Sequence, residues 1–167
     1  MFKFYYGIDS GAKGAIALLA YEDDKLMGVF ISDFPTKFED FIHYMKKDTS
    51  TDRVRVLLEK VHALPGQSCT AMFSYGGNFR MAELLAYCLS EKYIEVSPQA
   101  WKKHFGLVKS KTESKTEYKR RSVALARSLL GHLYDFKDSK DGQAEAALIA
   151  LYGKEKDNEA TNNEGDT

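Results

Sequence analysis

Four carboxylates stand out by where they fall in the chain. Asp9 closes an aromatic and β-branched run, Phe2 to Ile8, against Ser10-Gly11-Ala12-Lys13-Gly14, and Glu59 closes the alternating run Val54, Val56, Leu58. An acid at the end of a run that reads as a central strand is a poor stabiliser, because a buried carboxylate costs free energy unless something pairs with it. Asp141 and Glu145 are four residues apart and share one face of a helical pattern whose apolar stripe is Ala144, Leu148 and Leu151. If the first and fourth strands are parallel neighbours, Asp9 and Glu59 leave the sheet at one edge. They then raise each other's pKa unless a cation compensates, and hard divalent cations prefer oxygen ligands. Mg²⁺ is the expected cofactor, with Mn²⁺ as a substitute, and Asp9, Glu59, Asp141 and Glu145 suit two-metal phosphodiester hydrolysis. Taken alone, the two helix acids are also what a solvated face and a helix N-terminus favour.

The charge balance is zero overall but uneven along the chain. Between Lys102 and Arg121 lie Lys102, Lys103, Lys109, Lys111, Lys115, Lys119, Arg120 and Arg121, opposed only by Glu113 and Glu117. A basic segment is ordinarily a solvated face; beside a cluster of acids able to hold a metal, its lysines are candidates for phosphate contacts. The glycines after Asp9 leave space over that carboxylate for a metal-bound phosphate or a nucleotide.

These residues need a scaffold. Phe2 to Ile8, Ala15 to Tyr21 and Met27 to Asp33 read as three strands of an antiparallel meander, the last two joined by Glu22-Asp23-Asp24-Lys25. Phe38, Phe41, Ile42 and Met45 follow a helical period, after which Val54 to Glu59 is a fourth strand reached by a crossover. Lys60 to Gly77 holds Pro65 and three glycines and is expected to be a functional loop. On it, Phe73 and Tyr75 are candidates for base stacking or for loop-anchoring packing, and His62 for a general acid/base or a hydrogen-bonding residue. Met81, Leu84, Leu85, Cys88 and Leu89 mark a core-facing helix, and Tyr93 to Val96 a fifth strand. Gln99 to His104 is expected to make a helical turn or two, packed by Trp101 and Phe105, before a basic helix from Thr116 to Leu130 and a last helix through Tyr152. This order predicts an α/β fold, a ribonuclease H-like mixed five-stranded sheet flanked by helices. The actin-like ATPases share that core, so the order leaves a nuclease and a nucleotide hydrolase open.

A chain of 167 residues with 44% hydrophobic content suits one domain, expected over residues 1–153. Residues 154–167 carry acids among Asn, Thr and Gly and are expected to form a disordered tail. Cys69 and Cys88 have no metal-ligand spacing, which points to a reducing compartment. No apolar run approaches the roughly 18 residues of a membrane span, so a cytoplasmic protein without membrane contact is expected.

Several pieces in order resemble the RuvC-type Holliday junction resolvases, in particular their short phage-encoded members, a lactococcal phage being one such source. They are Gly7-Ile8-Asp9-Ser10-Gly11 with Gly14-Ala15-Ile16-Ala17, then Glu59-Lys60-Val61-His62-Ala63-Leu64-Pro65-Gly66-Gln67, Met72-Phe73-Ser74-Tyr75-Gly76, Ser97-Pro98-Gln99-Ala100-Trp101-Lys102-Lys103, and Ala144-Glu145-Ala146-Ala147-Leu148-Ile149-Ala150. The segment after Glu59 is the most specific. The resemblance implies a homodimeric, Mg²⁺-dependent endonuclease that binds four-way junctions and other branched DNA and cuts them to leave 5′-phosphate and 3′-hydroxyl ends. It places Asp9, Glu59 and Glu145 on the family's metal-binding carboxylates and Lys102, Lys103, Lys109, Lys111, Lys115 and Lys119 in its basic segment. His62 stands where cellular members carry a stacking aromatic. The family's remaining acid falls three residues before Glu145, at Gly142, so either Asp141 or Asp138 takes over or the chain binds branched DNA with impaired catalysis.

Overall fold

A computed structural model of the chain describes residues 1–35, 53–61, 66, 68–90 and 92–164. Five strands form one sheet: β1 (Phe2–Asp9), β2 (Ala15–Glu22), β3 (Lys25–Asp33), β4 (Arg53–Glu59) and β5 (Ile94–Val96), in the spatial order β3-β2-β1-β4-β5. The first three make the expected antiparallel meander, and β4 and β5 join it parallel to β1 and to each other. The β2–β3 turn places both Asp23 and Asp24 at positive φ, a geometry that suits a two-residue hairpin and that Asp tolerates better than most residues.

Both faces of the sheet are covered, which is why β4 buries Val56, Leu57, Leu58 and Glu59 consecutively rather than in alternation. On one face, Tyr6, Ile8, Ile16, Leu18, Val56 and Leu58 pack against helix α1 (Cys69–Leu89) through Ala82, Leu85, Ala86 and Leu89. Of the expected face of Met81, Leu84, Leu85, Cys88 and Leu89, Leu85 and Leu89 are buried and Met81 packs at the margin of the core, whereas Leu84 and Cys88 are exposed and Ala82 and Ala86 take core positions, their small side chains letting the helix approach.

The opposite face, with Tyr5, Ala17, Leu19 and Leu57, packs against helix α4 (Asp141–Glu164). Helix α4 runs antiparallel to β1 at unusually close range. Gly7 permits this, since a Cβ there would overlap the carbonyl oxygen of Ala146. Helices α2 (Pro98–His104) and α3 (Lys115–Leu130) complete this layer. Their starts are encoded locally: Ser97 caps α2 with Pro98 in its first turn, and Ser114 and Glu117 form a capping box on α3.

Two expectations are corrected. The loop foreseen from Lys60 to Gly77 is helical from Cys69 onward, because Ser68 accepts the Ala71 amide at 3.2 Å and starts α1 eight residues before Gly77. The tail foreseen from Lys154 is helical through Glu164. Lys154 is buried over the Tyr21 ring and paired with Asp24 at 3.2 Å, while Asp157 accepts from the Tyr5 hydroxyl at 3.2 Å and Arg55 Nε at 3.1 Å. These anchors hold a polar segment that composition alone reads as unfolded. The helix expected around Phe38 to Met45 lies outside the described residues.

Candidate metal centre and nucleic-acid interface

The parallel register of β1 and β4 pairs Gly7 with Leu57 and Ile8 with Leu58, so the next residues, Asp9 and Glu59, stand side by side. Strand alternation turns both toward the face that carries Gly7, the face covered by α4. Both are buried, at 9% and 8% exposure. Asp33 ends β3 at the same edge and accepts Lys140 Nζ at 2.5 Å and Gln143 Nε2 at 2.8 Å, which pins the start of α4 there. Glu145 is one turn further along α4, near enough for its charge to act on both Asp9 and Glu59.

The electrostatics bear the marks of crowding. Burial pushes the Asp9 carboxyl up to about 7, with repulsion from Glu59 and Glu145 adding to it and the Gly11 amide, which donates to Asp9 Oδ1 at 2.8 Å, working against it. Glu59 is also raised by burial, relieved by the Trp101 indole and the Lys102 ammonium. Trp101, fully buried, donates its indole N–H to Glu59 Oε1 at 2.9 Å. Lys102 Nζ meets Glu145 Oε2 at 3.2 Å, and Ser122 Oγ donates to Glu145 Oε1 at 3.3 Å. Burial works to lower the Lys102 ammonium, but Glu145, Glu59 and Tyr118 outweigh it and hold the group above its usual value.

A hard divalent cation fits this donor set. Two buried carboxylates that repel each other, with a third acid acting on both, are stabilised by positive charge between them, and the donors offered are all oxygen. Among the described residues no three acidic, His or Cys side chains stand close enough together to hold a metal ion as they are placed, so binding one requires these side chains to draw in around it. Lys102 meanwhile supplies part of the compensating charge.

The fourth acid differs. Asp141 is paired with Lys119, and the charges acting most strongly on Asp9 are those of Glu59, Glu145 and Lys102. Asp138 is 79% exposed and held by Arg127 at 2.9 Å, away from the other three. Gly142 has no room for a side chain, because a Cβ there would overlap the carbonyl oxygen of Lys13 in the β1–β2 turn.

The lysines divide likewise. Lys102 is paired with Glu145 and Lys119 with Asp141, whereas Lys103, Lys109, Lys111 and Lys115 are exposed and have no ion-pair partner among the described residues. Arg121 is structural: it grips Glu113 at 3.0 Å and the carbonyls of Gly106 and Val108, tying residues 105–113 to α3. Phe73 is 86% exposed and Tyr75 half-buried. His62 lies outside the described residues. Sequence reading assigned Trp101 only a packing role and passed over Ser122. The available signal for Trp101 was its position three residues past a Ser-Pro cap that follows the strand ending beside Glu59. Two cavities, of about 440 and 280 Å³, lie elsewhere, one around Lys3, Arg53 and Thr161 and the other along β5.

No family model matches this chain, and no curated protein does. Solved structures do. RuvC of Thermus thermophilus in complex with a Holliday junction substrate superposes with a TM-score of 0.55 at 14% identity, over 89% of this chain and 90% of that one. The chain has the ribonuclease H-like fold of the resolvases. RuvC of the same organism in a second structure gives a TM-score of 0.54 at 16% identity, over 90% of this chain and 92% of that one. The Fowlpox virus resolvase in complex with substrate Holliday junction DNA gives 0.52 at 20% identity, over 92% and 97%. At these identities the shared property is the fold. No helix among the described residues is long and apolar enough to cross a membrane.

Proposed function

We propose that this chain is a divalent-metal-dependent endonuclease that binds and cuts Holliday junctions and other branched DNA, leaving 5′-phosphate and 3′-hydroxyl ends. The observation that carries the reading is the convergence of Asp9, Glu59 and Glu145 at one sheet edge, with a basic segment directly adjoining it. A fold shared with junction-bound resolvases supports it.

Asp9, Glu59 and Glu145 would hold Mg²⁺ or Mn²⁺. When bound, the ion supplies Lewis-acid stabilisation of the charged phosphodiester and makes an attacking water easier to deprotonate. The chain's own residues do the rest. Trp101 fixes the Glu59 carboxylate through its N–H, and Ser122 fixes Glu145. Lys102, already among the acids, is placed to offset charge developing at the scissile phosphate. Lys103, Lys109, Lys111 and Lys115 bind flanking phosphates, and Phe73 offers an exposed ring to an unpaired base. Paired cuts in a four-way junction call for a homodimer, and a phage source would put the protein in the host cytoplasm.

A second reading, a branch-binding protein with impaired catalysis, draws on one observation: Asp141 is engaged by Lys119, and Gly142 cannot bear an acid. One experiment separates the two. A synthetic four-way junction is incubated with the protein with and without Mg²⁺. The nuclease reading expects Mg²⁺-dependent cuts that vanish in Asp9→Asn, Glu59→Gln and Glu145→Gln while junction binding persists. Binding without cuts in either Mg²⁺ or Mn²⁺ selects the second reading, and metal-independent cutting sinks the assignment of the acids.

A further inference from the structure

The two aromatics near the start of α1 part company. They are two residues apart on a helix, hence about 200° around its axis, and cannot serve the same surface. Phe73 faces solvent. Tyr75 is half-buried, and the charges of Asp9, Glu59 and Glu145 act on its hydroxyl.

Gly11 locates that hydroxyl. A Cβ on Gly11 would stand 3.0 Å from Asp9 Oδ1 and 3.6 Å from Tyr75 Oη. The phenol and the carboxylate therefore border one small space, which stays open because the residue between them has no side chain. Among the described residues the Tyr75 hydroxyl makes no hydrogen bond. A phenol carries its proton at neutral pH by its ordinary value of 10.0, and burial with the neighbouring Asp9, Glu59 and Glu145 pushes it further up.

We propose that Tyr75 contacts the substrate, its hydroxyl donating a hydrogen bond to a non-bridging oxygen of the DNA phosphate that lies over Asp9. The chemistry of the donor suits the place. A lysine here would pair with the acids, as Lys102 does with Glu145, and would compete with a cation for them. A neutral phenol donates to a phosphate oxygen without neutralising a metal-binding carboxylate. The helix gives precision, since α1 is clamped to the sheet through Ala82, Leu85 and Leu89 and carries the ring as a fixed lever. The inference rests on the nuclease reading above and assigns Tyr75 a role other than stacking.

Tyr75→Phe removes only the oxygen and keeps the ring, so folding is preserved. Single-turnover cleavage of a four-way junction in Mg²⁺ at saturating enzyme should slow about tenfold, the usual consequence of losing one hydrogen bond to a charged group. Junction affinity measured without divalent ion should stay within about twofold, because phosphate contacts from the lysines dominate binding. Cleavage at the wild-type rate, or weakened binding with an unchanged saturated rate, overturns the proposal. A wild-type protein that binds the junction without cutting would remove the nuclease reading and leave a second readout. The tyrosine ¹³Cζ resonance assigned by its loss in Tyr75→Phe should then move when the junction is added; a resonance that stays put overturns the contact.

Discussion

The indole N–H of Trp101 donates to Glu59 Oε1 at 2.9 Å, in a pocket where neither side chain sees much water. This bond gives a neutral donor to a carboxylate pushed upward by burial. Trp101→Phe leaves most of the packing and removes the donor. We expect a loss of stability of about 1–3 kcal/mol in urea unfolding and a slower Mg²⁺-dependent cleavage, because Glu59 is no longer held in one orientation. Unchanged stability would mean that the bond adds nothing over solvent.

Restoring an acid three residues before Glu145 is not expected to help. Gly142 sits against the Lys13 carbonyl, and any Cβ forces the β1–β2 turn or the start of α4 to move. Gly142→Ala and Gly142→Asp should each destabilise the fold by roughly 1–3 kcal/mol, the usual cost of overpacking, and lower cleavage together with the thermal midpoint. A well-folded Gly142→Asp with raised activity contradicts this steric account.

Proton linkage gives a signed prediction for the metal-free protein. Asp9 titrates at about 7 when folded, above its ordinary value of 3.8, so between those pH values the folded state holds a proton that the unfolded chain has released. Stability contributed by the protonated form is present below the unfolded value and is lost as pH rises through the folded one. The raised Glu59 acts in the same direction. Unfolding free energy should therefore fall by a few kcal/mol between about pH 4 and pH 7 relative to Asp9→Asn measured in parallel. Mg²⁺ added at pH 7.5 should raise the thermal midpoint of the wild type more than that of Asp9→Asn. A flat difference between the two proteins across this range rejects the buried-acid description.

The exposed and the engaged lysines should behave differently. On the proposed function, alanine at the exposed Lys103, Lys109, Lys111 or Lys115 removes one phosphate contact, and each should reduce the slope of log affinity against log salt by about 1 while leaving the thermal midpoint alone. Lys102→Ala strips the cation from Glu145 and Glu59, so its main effect falls on cleavage and on stability. Salt titrations of junction binding, paired with melting curves, separate the two groups; a uniform loss across all five would dissolve the distinction.

The sequence by itself determined the elements and the chemistry they carry. Apolar and aromatic runs bounded by polar turns marked all five strands, helical spacing marked the helices after them, and Asp9 and Glu59 were legible as acids misplaced at strand ends. These signals are local, each contained within a few neighbouring residues. Tertiary structure decided what depends on residues far apart in the chain. Parallel pairing and its register set Asp9 beside Glu59, and the bare backbones of Gly7 and Gly142 set how near α4 lies to them. That close approach brought Glu145 to the site and left no room for an acid at position 142. It also made a helix of the segment that reads as a tail, since Tyr5, Tyr21, Asp24 and Arg55 supply partners that no local pattern contains. Trp101 owes its bond to Glu59 to the same cause. An aromatic ring declares its hydrophobicity in the sequence, but the partner of the Trp101 N–H is chosen only when distant strands and helices close around it.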